Sequence, residues 1–463
     1  MILLFILSVY LPIDSWQNEL IDEMQVRGVH FTRFPSVRPY DIAEIELADG
    51  HFLSDRLWLP IFSGKAYYDT ITVLRLKPSL YYDWSDFSIY VQPVVKFGED
   101  SLPPDKVFAD LFSADYERAY VKYASKHFGV FIGRERFAIG PSPRYNLLLS
   151  GYSAPMDWLH FSLQSRKLKF SYYLSRLDNM YTKRLEYVGD TIVEYIDATR
   201  YLSIRRLDFS PTEWLNVSFT EGATFGGKDY ILGIYDFNPV ILLHTYQYNR
   251  DKDANLFFHL DAKIFLKNFC FYGALLVDDY QLESDANNEP NHLGINVGFE
   301  CADPFNVSNI YWMIEYTAVS RYTYCHFVPY QRYQYLDTPI GSPFGPGYDE
   351  VYTKFSYHLN PKIDLYSQIS YFRKGEAAIE ALWPIPEYPR VPGTLFPEEN
   401  FLFGTIQKSV EIGFGLRFFH HHLIISDFYI GYLQCKNYQN RINETKKIPF
   451  FRLTIDVKNL FNS

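Results

Sequence analysis

Two arginines spaced two apart, Arg134 and Arg136, end the segment "FGVFIGRER". On an extended chain they share a face with Phe128, Val130 and Ile132, so that face turns from apolar to cationic at its end. Two adjacent guanidinium groups offer planar donors to a carboxylate-bearing sugar. The same pair also suits a lumenal ion-pair network with Glu135 or loop acids. Tyrosines recur in stretches that read as loops: Tyr145 and Tyr152, Tyr322 and Tyr324, then Tyr330, Tyr333 and Tyr335 within "PYQRYQY", which also carries Arg332. Flat rings stack on the C–H faces of sugars while their hydroxyls bond the polar edges. Loop packing, or an aromatic girdle at a membrane interface, would use the same residues. The three histidines at 420–422 point in different directions and make a poor preformed metal site. "GYSAP" lacks the second glycine of a nucleophile elbow. Neither a phosphate-cradling glycine loop nor a zinc-type His/Glu spacing occurs. The expectation is no catalytic residue, no metal and no cofactor.

These side chains need elements to hold them, and the chain's strongest signal is a period of two. In "VEIGFGLRF", Val410, Ile412, Phe414, Leu416 and Phe418 alternate with Glu411, Gly413, Gly415 and Arg417. "FRLTIDVK" alternates in the same way, with Phe451, Leu453, Ile455 and Val457 on one side. Such patterning marks pleated strands with one apolar and one polar face. Repeated along a whole chain, it predicts a transmembrane antiparallel β-barrel, apolar outward and polar inward.

Strand pairs are predicted at 71–81 with 87–97, 117–124 with 128–134, 157–163 with 167–176, and 200–209 with 214–221. They continue at 257–266 with 269–278, 292–300 with 310–318, 351–359 with 362–373, and 409–419 with 423–433, and a last strand covers 450–458. Short turns inside the pairs alternate with long connections between them, as periplasmic turns and outer loops do in bacterial barrels. Seventeen strands leave the even count one short. Residues 57–69 supply the candidate, with Pro60 confined to an end or a bulge. The expected fold class is all-β, a transmembrane antiparallel barrel of about 18 strands (16–18), with short N-terminal helices near the periplasmic end. Residues 1–14 read as the apolar core of a signal peptide, 15–56 as a helical segment with helices at 14–28 and 39–48, and 57–463 as the barrel. In this topology Cys270 and Cys301 fall near one rim and Cys325 and Cys435 near the other, so disulfides 270–301 and 325–435 are expected.

Composition agrees. The chain has 463 residues, of which 40 are Tyr, 39 Phe and only 5 Met. Aromatics favour strands and gather at bilayer interfaces. A mean hydropathy of −0.17 fits strands whose inner half is wet. The net charge of −10 argues against nucleic acid as a partner.

Residues 128–163 carry a further signal: a strand ending in Gly-Arg-Glu-Arg, a Gly-Pro turn, the run Leu147-Leu148-Leu149-Ser150, then Ala154-Pro155 before the next strand. This order resembles the Wzi family of outer-membrane capsule-assembly proteins. "WMIEYTAVSRYTY" (312–324), "TPIGSPFGPGYDE" (338–350) and "ISYFRKGE" (369–376) are similar to that family's later segments. The chain departs from the pattern at "FAI", where an aromatic often follows the second arginine. The resemblance implies an 18-stranded barrel in the bacterial outer membrane, closed at one end by helical elements. It also implies a lectin-like role in binding capsular or other extracellular polysaccharide, with outer-membrane lipid and the barrel-assembly machinery as further partners. A porin or oligosaccharide channel is the same architecture with an open lumen. A membrane-embedded hydrolase and a soluble all-β protein are the remaining readings.

Overall fold

The computed structural model describes residues 10–41, 45, 60–67, 72–84, 86–98, 107–108, 112–185, 193–250, 254–279, 291–326, 328–381, 401–420 and 424–458. Most of the leader expected at 1–14 and of the helix expected at 39–48 therefore lies outside the described residues. The wall strands are β1 (Pro60–Tyr67), β2 (Thr72–Leu76, resumed at Leu80–Trp84), β3 (Phe87–Phe97), β4 (Phe112–Ala124), β5 (Phe128–Glu135), β6 (Met156–Gln164), β7 (Leu168–Arg176), β8 (Val193–Thr212) and β9 (Leu215–Lys228). They continue as β10 (Ala254–Leu266), β11 (Phe269–Asp279), β12 (His292–Ala302), β13 (Ile310–Val319), β14 (Tyr348–Asn360), β15 (Ile363–Lys374), β16 (Gln407–His420), β17 (Ile424–Lys436) and β18 (Thr445–Lys458).

Each strand pairs antiparallel with its sequence neighbours, and β1 pairs with both β2 and β18, so the described residues form a closed ring of 18 strands. The strand expected at 57–69 is thus the closing one. Pro60 is its first residue, where a missing N–H costs least. Closure removes the free edge that no strand could leave in hydrocarbon. The strand expected at 71–81 is broken at 77–79, across Pro78.

The alternation read from the sequence sets the two faces. Ile132, Leu260 and Phe414 stand outward, 58, 50 and 62 % exposed. Inward, Arg206 is fully buried, with guanidinium nitrogens 2.8 Å from Asp208 and 2.7 Å from Asp261. Arg118 meets Glu135 at 2.7 Å. Inner glycines make room for rings that lie along the wall: a Cβ on Gly413 would sit 1.9 Å from the Tyr429 hydroxyl, and one on Gly415 2.0 Å from the Tyr366 ring.

The N-terminal segment lies inside the ring toward the end with the short turns. Its helix α1 (Gln17–Val26) ends before Gly28, whose φ of +94° suits glycine alone among common residues. Arg27 reaches Asp303 in the β12–β13 turn at 2.5 Å. Glu19 meets Lys354 at 2.5 Å and Arg417 at 3.6 Å, and Glu23 meets His358 at 2.7 Å.

The four cysteines are free, which corrects both expected disulfides. Cys270 lies opposite Glu300 and Cys301 opposite Phe269. Facing pairs share a side and neighbours along a strand alternate, so the two thiols point to opposite faces of the sheet. Cys325 approaches the Ala378 carbonyl at 3.4 Å, whereas Cys435 accepts from Ser409 at 3.3 Å.

This architecture makes two predictions. Ile412→Arg puts a charge on the lipid face of β16 and should cost about 2–4 kcal/mol near mid-bilayer, read as a lowered unfolding midpoint in lipid vesicles. Glu411→Gln, on the inner face, should cost much less. Enclosure in the lumen works against the Glu19 carboxylate, although its side chain is 47 % exposed to the chamber there, and Lys354 and then Arg417 hold it down to about 2. A depressed carboxylate adds stability above its unfolded value and loses it as pH falls toward its folded one. Hydrogen-exchange protection of α1 should therefore decline between about pH 5 and pH 2. Lys354→Ala should move that decline to higher pH.

Candidate functional site

A ring this wide leaves a lumen that side chains of the wall alone cannot fill. Three segments occupy it: residues 10–41, 136–155 and 320–347. The second begins at the end of β5. Gly140, with φ +139°, turns the chain against Asn146, whose Oδ1 would lie 2.4 Å from an added Cβ. Leu147, Leu148 and Leu149 follow and are buried in the middle of the barrel. A short antiparallel pair, Val37–Arg38 with Ala138–Ile139, joins the first segment to the second. The Tyr324 hydroxyl donates to the Leu147 carbonyl at 2.6 Å, and Ser150 N–H donates to the Ile340 carbonyl at 3.1 Å, joining the second to the third.

The third segment is held from the wall by Arg200 on β8. Its guanidinium donates to the carbonyls of Tyr330 at 2.8 Å, Arg332 at 2.8 Å and Gln334 at 2.9 Å, and meets Asp178 at 3.3 Å. One fully buried side chain thus fixes three alternate backbone carbonyls of a five-residue stretch. The Tyr333 ring stacks on Tyr324 with centroids 5.8 Å apart and packs on Phe257 at 4.3 Å.

The residues singled out from the sequence separate by their place in the barrel. Tyr322, Tyr324 and Tyr333 are buried structural residues, 4, 0 and 0 % exposed, and present no ring to a ligand at the surface. Tyr330, Arg332 and Tyr335 are partly exposed at the outer end, and Arg332 donates to the Glu380 carbonyl at 2.9 Å. Arg134 lies on the outward face above the apolar Ile132, paired with Asp115 at 3.0 Å and Asp157 at 2.9 Å. Tyr335 lies within electrostatic reach of this cluster.

Arg136 does not join Arg134. β5 stops at Glu135, and the Arg136 side chain pairs with Glu117 at 3.2 Å. The shared face expected from their spacing holds only while the chain stays extended, and it does not. Both arginines are ion-paired, but not in the expected lumenal network with Glu135 or loop acids: Arg134 pairs on the outward face with Asp115 and Asp157, and Arg136 pairs with Glu117, all three on wall strands.

Tyr145 and Tyr152 do come together, edge to face at 6.2 Å. They line a lumenal chamber of about 620 Å³ between the second segment and the wall strands β2, β3 and β16–β18. Arg144 enters the same chamber. It pairs with Glu350 and lies over the Tyr352 ring at 4.0 Å and the Tyr145 ring at 4.9 Å. Burial works against the Arg144 cation, but Glu350 keeps it firmly charged. Arg75 and Arg452 also face the chamber. Aromatic faces and forked donors in one cavity can stack on and bond a sugar or bind a carboxylate.

Sequence reasoning passed over Arg144, Arg75, Arg452 and Arg200. Arg144 adjoins Tyr145, and the other three sit at inward parity in their strands, so the signal was present without anything to rank it. Among the described residues no group of three or more His, Cys, Asp or Glu is placed to hold a metal ion. His420 ends β16, and residues 421–422 lie outside the described residues.

A model of the family described as capsule assembly protein Wzi matches residues 70–422. No curated protein matches the chain. Among solved structures, the chain is similar to Wzi of Escherichia coli, described as an outer-membrane protein involved in group 1 capsule assembly and a carbohydrate-binding β-barrel. The TM-score is 0.65 at 14 % identity, over 97 % of this chain and 100 % of that one. A structure of OprD from Pseudomonas aeruginosa gives a TM-score of 0.46 at 9 % identity, over 85 % and 92 %. The outward apolar belt belongs in the bacterial outer membrane. With three quarters of its length matched by the family model, this chain belongs to the Wzi family of capsule-assembly proteins.

Proposed function

We propose that this protein binds capsular polysaccharide at the cell surface and catalyses no reaction. One observation carries the reading. The segment 329–335 is clamped from beneath by Arg200 and by the Tyr324–Tyr333 stack, while Tyr330, Arg332 and Tyr335 remain partly exposed at the outer end, Tyr335 within electrostatic reach of Arg134. A surface whose backbone is fixed in advance loses little entropy on binding. Its rings and guanidinium groups suit a glycan that carries carboxylates. The chamber at Arg144, Tyr145 and Tyr152 offers a second contact of the same chemistry.

The carbohydrate-binding description of the Escherichia coli protein supports this reading at the level of the family. The three lumenal segments speak against the porin alternative, because their joined backbone would have to leave before solute could pass. Lipid of the outer membrane surrounds the belt in this reading, and the barrel-assembly machinery inserts it.

Detergent-purified protein should retain fluorescent acidic capsular polysaccharide on a column. Arg134→Ala and Tyr335→Ala should each weaken retention by about tenfold, or about 1.4 kcal/mol, without moving the thermal unfolding midpoint. Tyr333→Ala should lower both binding and midpoint, since its ring is core. In planar bilayers the protein should be silent, and Arg200→Ala, which frees three carbonyls of the plug, should show intermittent openings. Steady conductance by the unaltered protein with no glycan retention would favour the channel.

A further inference from the structure

The connection between β9 and β10 reads from the sequence as one long outer loop, 222–256. The structure departs from that. β9 continues to Lys228, and residues 229–250 then fold back down the outside of the wall, ending in helix α2 (Leu243–Arg250). Register shows which face they cover. Tyr172 lies opposite Arg205, Arg205 opposite Glu221, and Glu221 opposite Phe258. All four share the outward side with Leu207 and Leu260, which are 45 and 50 % exposed, whereas Arg206 points into the lumen.

An arginine and a glutamate therefore stand on the lipid side of the barrel. Their charged groups are 3.6 Å apart, and both side chains are buried. The folded-back segment is what buries them. Arg205 donates to the Asn238 carbonyl at 3.1 Å, and the Tyr172 hydroxyl donates to the Asp236 carbonyl at 2.6 Å. The Glu221 carboxylate accepts from Leu243 N–H at 2.8 Å and His244 N–H at 3.1 Å, at the start of α2. Tyr230 rests against Tyr201 and Phe225.

While its backbone faces the wall, this segment turns large apolar side chains away from it. Ile231, Ile234 and Val240 are 86, 90 and 79 % exposed, and Phe237 and Leu242 are 43 and 40 % exposed. Glu221 lies six residues up β9 from Leu215, next to the turn that carries Trp214. With a strand rise of ~3.4 Å tilted by ~40°, that is roughly 16 Å above the short-turn rim, inside an apolar band ~25 Å tall. The exposed isoleucines are thus continuous with the lipid-facing belt.

We propose that residues 229–242 form a strap inserted in the outer leaflet of the membrane, with Ile231, Ile234 and Val240 in contact with lipid acyl chains. The strap closes the Arg205–Glu221 pair off from hydrocarbon, where uncovered charges on a barrel wall are costly. The exposed polar residues of α2, Thr245, Gln247 and Asn249, end the apolar stretch on the side toward the headgroups.

The native cysteines are buried, so a nitroxide attached to one introduced cysteine reports a single site. In proteoliposomes of phosphatidylcholine at low protein density, Ile234→Cys and Val240→Cys should show collisions with oxygen several-fold in excess of those with a nickel chelate. They should match Ile412→Cys on the belt, with Ile442→Cys in an outer loop giving the opposite ratio. If both strap positions follow Ile442→Cys while Ile412→Cys behaves as expected, the strap stands in water and the proposal fails.

Discussion

Hydrocarbon offers no partner to a peptide N–H or C=O, and this constraint governs the rest of the molecule. A strand that crosses the bilayer must find both partners in its neighbours, so the sheet has to close. Closure with 18 strands makes the ring wide, and width creates a second demand because the lumen must be occupied by protein or by water. Here the chain supplies protein, in three segments drawn from opposite ends of the barrel and joined by main-chain pairing at Val37–Arg38 and Ile340 and by the Tyr324 hydroxyl on the Leu147 carbonyl.

Filling a polar lumen brings charges into a space with little water. Each needs a counter-charge in good geometry, since an unpaired buried ion costs far more than a pair returns. Arg206 between Asp208 and Asp261, Arg118 against Glu135 and Arg144 against Glu350 meet that condition. Arg144–Glu350, Glu19–Lys354 and Asp41–Lys122 join the lumenal segments to the wall, and such pairs add modest net stability but strong geometric preference, because a displaced segment would strand ions on the wall. The plug's position is thereby tied to the wall's sequence, and the outer surface formed by 329–335 inherits that definition through Arg200.

The wall was legible in the sequence because a period of two needs no tertiary information. Most strand ends fell within a few residues, although β4, β8, β9 and β18 run five to seven residues further at their outer ends than expected, and a parity argument on the count placed the closing strand at the right segment. The plug was not legible. "NLLLSG" and "PYQRYQY" lack periodicity, and a loop that folds into the lumen uses the same tyrosines and leucines as one displayed outside. Tyr333 and Tyr335, two residues apart, differ only in which side of one turn they occupy, and the clamp that sets this is Arg200, about 130 residues away. The disulfide expectation failed for a reason the sequence did contain. Cys270 and Cys301 lie on adjacent strands, but the register that places Cys270 opposite Glu300 gives them opposite faces.

Exceptions to the period of two carry the most information once register is known. "LSIRRLDF" places Arg205 at the parity of Leu207 and Phe209, and "NVSFTEGA" places Glu221 at the parity of Val217 and Phe219. Either charge alone reads as a bulge or as the upper limit of the lipid band. Paired in register they cannot be a bulge, because the ladder through them is unbroken from Ala198 to Phe209. Nor does Glu221 mark the band's limit, since the outward residues above it, Ala223 and Phe225, are apolar. Two opposite charges facing lipid in an intact ladder require a cover whose own polar groups turn toward the wall. Such a cover must then present apolar groups to whatever lies beyond it. Ile231, Ile234 and Val240 are what this chain presents.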